Sequence, residues 1–339
     1  MANKHTVTRH RCHFDFVSCV ALREERLISG SADGSLQLHR LAIERRNIGW
    51  KSLKTCTAHA NQVAACAWID DATVVSADFG EVVRLWDVET GVSTLLPVRA
   101  TTIAHLERSH LLACASWASA NCTLGEVRCH STVGWERRCT LPLLAHGDRE
   151  VYSIAWAGAD TLVTGCGGAM VGVWDMHTAR PIRRYQAGSR GGIHAVHVET
   201  VESPQRRELI FSGGADGYVR VFDRRQSDAI LRWRLHSDIV SSLGSNGQWL
   251  VSGSEDGLLG MIHLPTLARA PRGLPARSVV HCVVADHSRV IAGCSDGSIC
   301  AYDFNVDAAY VDWGSAFEMV LLNQSRREAE KRSRASESS

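Results

Sequence analysis

Residues Leu209 to Asp223 read L-I-F-S-G-G-A-D-G-Y-V-R-V-F-D, and this stretch decides the fold. Apolar, β-prone residues begin and end it, and glycines with an Asp-Gly pair lie between them. Asp accepts hydrogen bonds from nearby backbone N–H groups, and Gly adopts positive φ without steric cost. The stretch therefore predicts two antiparallel strands joined by a tight turn.

The same pattern recurs along the chain. It reads L-I-S-G-S-A-D-G-S-L-Q-L-H up to His39, L-V-S-G-S-E-D-G-L-L-G-M-I up to Ile262 and V-I-A-G-C-S-D-G-S-I-C-A-Y up to Tyr302. Two variants end in Trp86-Asp87 and Trp174-Asp175. Such regular recurrence is typical of a protein built from repeated units.

The spacing of the repeat gives the number of units. Equivalent positions fall at 39, 86, 174, 222, 262 and 302, so the steps are 47, 88, 48, 40 and 40 residues, and 88 equals two steps of 44. A degenerate unit is therefore expected between Trp86 and Trp174, where Gly125 to His130 reads G-E-V-R-C-H. Seven units of this length match four-stranded blades.

These residues resemble the WD-repeat family of β-propellers. The resemblance covers about residues 5 to 306 and implies an all-β, seven-bladed propeller of four-stranded antiparallel blades. In that family an N-terminal strand commonly completes the last blade, a role assigned here to Thr6 to His10. Residues 1–306 are predicted to form the propeller, and residues 307–339 a tail with a short helix followed by disorder.

The tail prediction depends on one apolar stripe. Trp313, Phe317, Val320 and Leu321 are spaced as on one helix face, and the chain after Leu322 is almost wholly charged or small. The length of 339 residues alone favours about two domains of roughly 150 residues. The repeat favours one closed ring instead, because a single blade cannot bury both of its faces.

The resemblance also implies a hydrogen-bonded relay in each blade. It joins a His before the first strand, a Ser or Thr on the second, the Asp of the turn and the Trp of the third strand. The matching residues are His13, Ser29 and Asp33 in blade one; His59, Ser76 and Trp86 in blade two; His146, Thr164 and Trp174 in blade four; Asp216 in blade five; His236, Ser252 and Asp256 in blade six; and Asp296 in blade seven.

No blade is expected to hold the complete relay. His39 and Ile262 stand where the Trp is expected, and Gly80 and Gly168 where the Asp is expected. A His, a Ser and an Asp in one blade also suggest a hydrolytic triad. A structural role is preferred because the grouping recurs, whereas an enzyme needs one site with an oxyanion hole.

The twelve cysteines are expected to be buried, reduced thiols. None forms a C-x-x-C pair, and no Cys/His spacing is typical of zinc sites, so no metal and no other cofactor is expected. No charged-then-apolar leader opens the sequence, and no apolar run reaches about 18 residues. The sequence therefore predicts a protein of a reducing compartment, cytosol or nucleus, without membrane association.

The resemblance implies a non-catalytic scaffold or adaptor that binds protein partners, as a monomer within a larger complex. In this family partners dock on the face formed by the loop before each inner strand and the turn with the Asp. The residues predicted there are Phe16, Gln62, Glu150, Tyr152, His194, Ile239, Glu255, Val279 and His281. Phe16, Tyr152, Ile239 and Val279 are the candidate apolar anchors, within a polar surround. That these side chains plug the central channel instead stays open.

Two other functional classes stay open. A subunit of a nucleic-acid-associated complex, in RNA processing or chromatin, would carry a one-sided basic stripe, and the formal net charge of +1 argues against direct contact with nucleic acid. An esterase-type hydrolase would have a solvent-open His or Asp dyad in a single blade. The basic cluster Arg326, Arg327, Lys331, Arg332 and Arg334 is interrupted by acidic residues, which favours a solvated helix face over a targeting signal.

Overall fold

Short apolar strands and tight turns build seven antiparallel sheets. The computed structural model describes residues 6–44, 47–57, 59–116, 126–142, 150–188, 191–201, 207–270 and 273–303. Strand β1 is Thr6–Arg11. Blade one consists of β2 (Val17–Arg23), β3 (Arg26–Ser31), β4 (Ser35–Glu44) and β5 (Asn47–Thr57); blade two of β6 (Val63–Trp68), β7 (Thr73–Asp78), β8 (Val83–Asp87) and β9 (Ser93–Leu95); and blade three of β10 (Thr102–Leu106), β11 (Leu111–Ala115), β12 (Glu126–Ser131) and β13 (Arg137–Pro142).

The remaining blades follow the same plan. Blade four consists of β14 (Val151–Trp156), β15 (Thr161–Cys166), β16 (Met170–Asp175) and β17 (Arg180–Gln186); blade five of β18 (Ile193–Val201), β19 (Arg207–Gly214), β20 (Tyr218–Asp223) and β21 (Ala229–Arg234); blade six of β22 (Val240–Ser245), β23 (Trp249–Ser254), β24 (Leu258–His263), β25 (Ala268–Arg269) and β26 (Leu274–Pro275); and blade seven of β27 (Val280–Ala285), β28 (Arg289–Cys294), β29 (Ser298–Asp303) and β1. A 3₁₀ helix, Glu107–Ser109, connects β10 to β11. Within the described ranges no helix is long and apolar enough to span a membrane.

The ring is closed by β1. This strand pairs antiparallel with β29, from Thr6 opposite Asp303 to Arg11 opposite Ser298, which confirms the predicted closure. The backbone N–H groups of Cys12 and His13 both donate to the carbonyl oxygen of Gly297, each at 3.1 Å. The pairing covers the β29 edge that would otherwise be open to another chain.

The core lies between neighbouring blades rather than within them. All residues of β15, β23 and β28 are buried, because each sheet is covered on both faces by the next blade and the previous one. This two-sided burial explains why the second strands are continuously apolar or small instead of alternating. The inner strands contact one another around the whole ring, including β2 with β27.

Two segments differ in how well the sequence predicted them. The degenerate strand near His130 is present as β12, so the seven-unit count is confirmed. Between Glu44 and Leu53 the sequence predicts a polar connection that includes an outer strand; the outer strand is present as β5, but the connection is shorter than predicted, because β4 and β5 form a hairpin paired from Ser35 opposite Thr57 to Glu44 opposite Asn47. Leu41 is fully buried within this hairpin. The tail predictions and His146 lie outside the described residues.

Candidate functional site

Alternating strand directions place two sets of loops at one end of the ring. The loops that lead into β2, β6, β10, β14, β18, β22 and β27 and the turns that follow β3, β7, β15, β19, β23 and β28 lie there together. We call this end the top face. Loops held on a rigid scaffold are the usual place for binding residues.

A β-bulge marks the top of six inner strands. In each, the first and third residues pair with the second strand of the blade, and the residue between them is skipped. A bulged residue leaves the ladder and its side chain is re-aimed. The bulged residues are Ser18, Ala64, Tyr152, His194, Ser241 and His281. Three of the predicted site residues are therefore displayed by the same local geometry.

Tyr152 of blade four stacks on His194 of blade five. The ring centroids are 4.7 Å apart and the planes differ by 8°. The tyrosine hydroxyl donates a short hydrogen bond to Oε2 of Glu150. Burial and this carboxylate raise the pKa of Tyr152 to about 12, and burial lowers the pKa of His194. A Cβ on Gly192 would overlap the tyrosine ring, so the stack requires glycine there.

Phe16 of blade one packs on His281 of blade seven across the closure of the ring. The ring centroids are 4.6 Å apart, with planes tilted by 38°. The Nε2 atom of His281 lies 2.9 Å from Oγ of Ser295. Burial lowers the pKa of His281, so the imidazole is neutral and presents an apolar edge to the phenyl ring.

One backbone contact fixes the remaining predicted positions. In blades one, two, four, six and seven the residue before the inner strand accepts a hydrogen bond at its carbonyl oxygen from the turn that follows the second strand. These bonds are Ala32 to Phe16 at 3.0 Å, Phe79 to Gln62 at 3.0 Å, Gly167 to Glu150 at 2.8 Å, Glu255 to Ile239 at 3.1 Å and Ser295 to Val279 at 3.0 Å. All nine predicted residues therefore lie on the top face, in blades one, two and four to seven.

The sequence interpretation missed two aromatic residues of this face. Phe14, in the loop before β2, is 95% exposed, and its N–H donates to Oδ2 of Asp33 at 3.0 Å. Phe79, in the turn after β7, is 40% exposed. The predicted positions flank the first apolar residue of an inner strand or, for Glu255, precede the Asp of the turn, and neither aromatic residue occupies such a position. An aromatic residue within an otherwise polar loop was the available signal.

The top face also carries acidic side chains. Asp15, Glu150, Asp238 and Glu255 form no salt bridge within the described part of the chain. Burial, followed by the nearby carboxylate of Asp238, raises the pKa of Glu255. Two carboxylates close together disfavour the charged form of each, and this raises a carboxyl pKa.

Blade two contains the complete relay, contrary to the sequence expectation. The acid is Asp78 at the end of β7, whose Oδ2 lies 3.0 Å from Nδ1 of His59. Nε2 of His59 lies 2.6 Å from Oγ of Ser76, and Nε1 of Trp86 donates to the same oxygen at 2.7 Å. The expectation that Gly80 leaves this blade without an acid is therefore wrong.

Blade one contains a variant of the relay. Nε2 of His13 lies 2.8 Å from Oγ of Ser29, and Nε2 of His39 lies 3.1 Å from the same oxygen, so His39 fills the place of the Trp. Nδ1 of His13 lies 2.9 Å from Oγ of Ser35, which donates to Asp33 at 2.5 Å. Burial lowers the pKa of His39 to about 3, so this imidazole is neutral.

Blades four and six keep part of the relay. Nε2 of His236 lies 2.8 Å from Oγ of Ser252, and Nδ1 lies 3.1 Å from Oδ2 of Asp256. In blade four Nε1 of Trp174 donates to Oγ1 of Thr164 at 3.0 Å. These contacts link the first, second and third strands of a blade near the top face.

Asp216 and Asp296 do not join a histidine relay, which corrects their assignment. Asp216 pairs with Arg220 through two contacts, at 3.1 and 2.5 Å. Asp296 pairs with Arg9 of the closing strand. No histidine precedes the inner strand of either blade, so an arginine takes the place of the His as partner of the turn carboxylate.

The relay histidines are inaccessible. The side chains of His13, His59 and His236 are 0% exposed. A catalytic base must reach the proton that it abstracts, and none of these three can contact a substrate. In this structure the histidines of blades one, two and six are therefore not placed to act as a catalytic base on a bound substrate.

Comparison with known proteins gives one family. The model of the family described as "WD domain, G-beta repeat" matches residues 50–87 and 229–261. The first match runs from β5 to the end of β8, so one sequence repeat contains the outer strand of one blade and three strands of the next. This offset interlocks neighbouring blades.

Three relatives are similar at low identity. An F-box/WD-40 repeat-containing protein of Arabidopsis thaliana is 22% identical over 78% of this chain and 57% of its own length. The DENN domain and WD repeat-containing protein SCD1 of Arabidopsis thaliana is 24% identical over 75% of this chain and 22% of its own length. A guanine nucleotide-binding protein subunit beta of Saccharomyces cerevisiae is 20% identical over 66% of this chain and 53% of its own length. The chain thus spans between about a fifth and just over half of these curated relatives.

Proposed function

Because the chain is a member of the WD-repeat family, we propose that it is a protein-interaction adaptor whose partner docks on the top face. The names of two relatives combine WD repeats with an F-box or a DENN domain, which supports a role in joining proteins. We place the adaptor in a reducing compartment, cytosol or nucleus. The free thiols of all eleven cysteines within the described ranges support that placement.

The observation that carries the proposal is the exposed aromatic surface of the top face. Phe14 is 95% exposed although a phenylalanine gains stability from burial. Phe16 and Tyr152 are partly buried, each supported from one side by a histidine. An aromatic side chain held by its neighbours loses little conformational freedom on binding, and such residues dominate the energetics of interfaces.

The charge of the face indicates the partner's chemistry. Asp15, Glu150, Asp238 and Glu255 provide carboxylates without basic partners in the described residues, around the aromatic positions. We therefore propose a peptide segment or helix with an apolar anchor flanked by Lys or Arg. Complementary charge at the rim accelerates association and excludes acidic competitors.

The experiment compares captured partners of matched variants. Tagged wild-type protein, the double variant Phe14→Ala with Phe16→Ala, and Tyr152→Ala are purified from cells in parallel, with quantitative mass spectrometry. The control is Val133→Ser, which removes a 70% exposed apolar side chain from the turn after β12, at the opposite end of the ring. The same partner should be recovered with wild type and Val133→Ser and be depleted at least about tenfold from the top-face variants. Equal recovery by all four proteins at unchanged melting temperature would contradict the proposal.

A further inference from the structure

Closure of the ring brings a thiol beside two buried imidazoles. The Sγ atom of Cys12 and ring nitrogens of His13 and His39 lie within 4.8 Å of one another. His13 and His39 are 3% and 0% exposed, and Cys12 is partly buried. Sequence spacing gave no sign of the group, because His39 lies on β4 and Cys12 is positioned by the turn of blade seven.

Cys12 is fixed by two backbone contacts and one side-chain contact. Its N–H donates to the carbonyl oxygen of Gly297 at 3.1 Å, and its own carbonyl oxygen accepts from Nε2 of Gln37. Its Sγ atom lies 3.7 Å from the Gly297 oxygen. The thiol is therefore held in place by both the first and the last blade.

The two imidazoles are oriented toward one point. Nε2 of His13 and Nε2 of His39 both face Oγ of Ser29, at 2.8 and 3.1 Å. A hydroxyl donates only one proton, so it donates to one ring and accepts from the other. Two imidazole nitrogens thus face one small oxygen atom, and the Cys12 Sγ atom lies within 4.8 Å of ring nitrogens of both histidines.

The opposite ring nitrogens have their own partners. Nδ1 of His13 lies 2.9 Å from Oγ of Ser35 and 3.5 Å from Oδ2 of Asp33. Nδ1 of His39 lies 3.4 Å from Oγ of Ser52. Metal-binding histidines are held in this way, with one nitrogen toward the ion and the other on a hydroxyl or carboxylate that sets the ring orientation.

We propose that Cys12, His13 and His39 form a zinc-binding site, with the Ser29 hydroxyl or a water molecule as fourth ligand. One thiolate and two imidazoles form a donor set that Zn²⁺ accepts in tetrahedral geometry. With bonds of about 2.0–2.3 Å, the edges of such a site are about 3.3–3.8 Å long. The ligand atoms of Cys12, His13 and His39 must approach one another by up to about 1 Å while the Ser29 oxygen moves outward, and the Cys12 thiol proton is released to solvent when the Zn–S bond forms.

The relay alone does not account for this arrangement. The relay of blade one needs His13, Ser29 and a hydrogen-bond donor at position 39. In blade two the indole of Trp86 supplies the equivalent donor. The relay does not need a thiol. The imidazole at position 39 and the thiol at position 12 are the two features that turn a relay into a candidate metal site.

The test uses Co²⁺ and Zn²⁺ as probes of the reduced, chelator-treated full-length protein. Wild type should bind one equivalent of Co²⁺ with a thiolate-to-cobalt charge-transfer band and the intense visible bands of a tetrahedral site, and Zn²⁺ should remove both. Cys12→Ser should lose the charge-transfer band, and the zinc affinity, measured by competition with a chromophoric chelator, should fall at least about 100-fold.

Two further variants separate metal binding from folding. His39→Trp restores an indole donor to Ser29, so it should fold and melt like wild type yet bind zinc at least about 100-fold more weakly. Cys56→Ser removes another partly buried thiol of blade one and should bind Co²⁺ like wild type. No charge-transfer band in wild type, a band that survives in folded Cys12→Ser, or a band lost equally in Cys56→Ser overturns the proposal.

Discussion

Phe16 and His281 pack with their ring centroids 4.6 Å apart, although one begins the first blade and the other lies in the last. This contact and the pairing of β1 with β29 both join the first blade region to the last blade and close the ring. The same closure places Cys12 against Gly297. Closure of the ring therefore brings together both the Phe16–His281 contact of the top face and the group formed by Cys12, His13 and His39.

Removal of the closing strand should destabilise the whole ring. Deletion of residues 1–10 removes most of β1 and the Arg9–Asp296 salt bridge but keeps Cys12 and His13. The exposed β29 edge should then pair with other chains, and the melting temperature should fall by at least about 5 °C. The measurement is calorimetry combined with light scattering.

The matched control for this deletion is Val7→Ser. Val7 is 45% exposed, and the substitution leaves the backbone ladder intact. It should melt within about 2 °C of wild type. A truncated protein that stays monomeric and melts like this control would show that β1 is dispensable.

The relay predicts unequal effects of one substitution in two blades. Ser76→Ala should cost about 1–3 kcal/mol, because it leaves His59 and Trp86 without their shared buried partner. Ser212→Ala should be neutral or stabilising, because Oγ of Ser212 is buried without a hydrogen-bond partner in the described residues. Urea unfolding of both variants measures the difference, and equal costs would mean that the relay contributes no net stability.

Stability should fall as the pH falls below about 6.5. Burial lowers the pKa of His59, which faces Asp78 and Arg84, and of His236, which faces Asp256, from the ordinary value of 6.5. Below that value the unfolded state binds protons that the folded state does not, so each histidine contributes a slope of up to about 1.4 kcal/mol per pH unit.

Urea unfolding at several pH values between about 7.5 and 5.5 checks this slope, with an unchanged m-value as the sign that the folded and unfolded states are otherwise the same. The stability contributed by the neutral histidines is complete above 6.5 and is lost progressively toward their folded pKa values. A free energy of unfolding that is constant over this range would contradict the assignment of neutral, buried imidazoles.

Gly192→Ala should weaken binding without unfolding the ring. The added Cβ would displace the Tyr152 ring from His194, and partner affinity should fall about tenfold, equivalent to about 1.4 kcal/mol. Gly188→Ala is the control, because its Cβ would lie 3.3 Å from the nearest atom and needs only a small adjustment. Biolayer interferometry with the isolated partner measures the affinity of both variants. Equal affinities would mean that the stack is not part of the interface.

The sequence predicted the ring but not the details of the relay. Blade number and closure follow from a turn pattern that repeats at nearly constant spacing, because turn chemistry is local. Asp78 was missed because the acid had been sought at the turn position of Gly80, two residues later. Its reach to His59 depends on the path of the loop before β6, which no local pattern encodes.

The orientation of the site side chains also depends on tertiary structure, so the sequence alone does not predict it. The bulges that re-aim Tyr152, His194 and His281 arise where an inner strand meets the turn of its own blade and the next blade. Their stacking partners lie on neighbouring blades, so the pairs follow from the assembled ring. The length of the β4–β5 hairpin was underestimated for a different reason, since the charged residues near Glu44 resemble a polar connection.

Hydrogen–deuterium exchange of the complex tests the central claim most directly. The protein is purified with its partner, and amide exchange is compared with that of the free protein. Docking on the top face predicts slower exchange in residues 13–18, 150–153, 191–195 and 278–282, with the outer strands β9, β17 and β21 unchanged. Protection confined to the outer strands, with none in these four segments, would contradict the account.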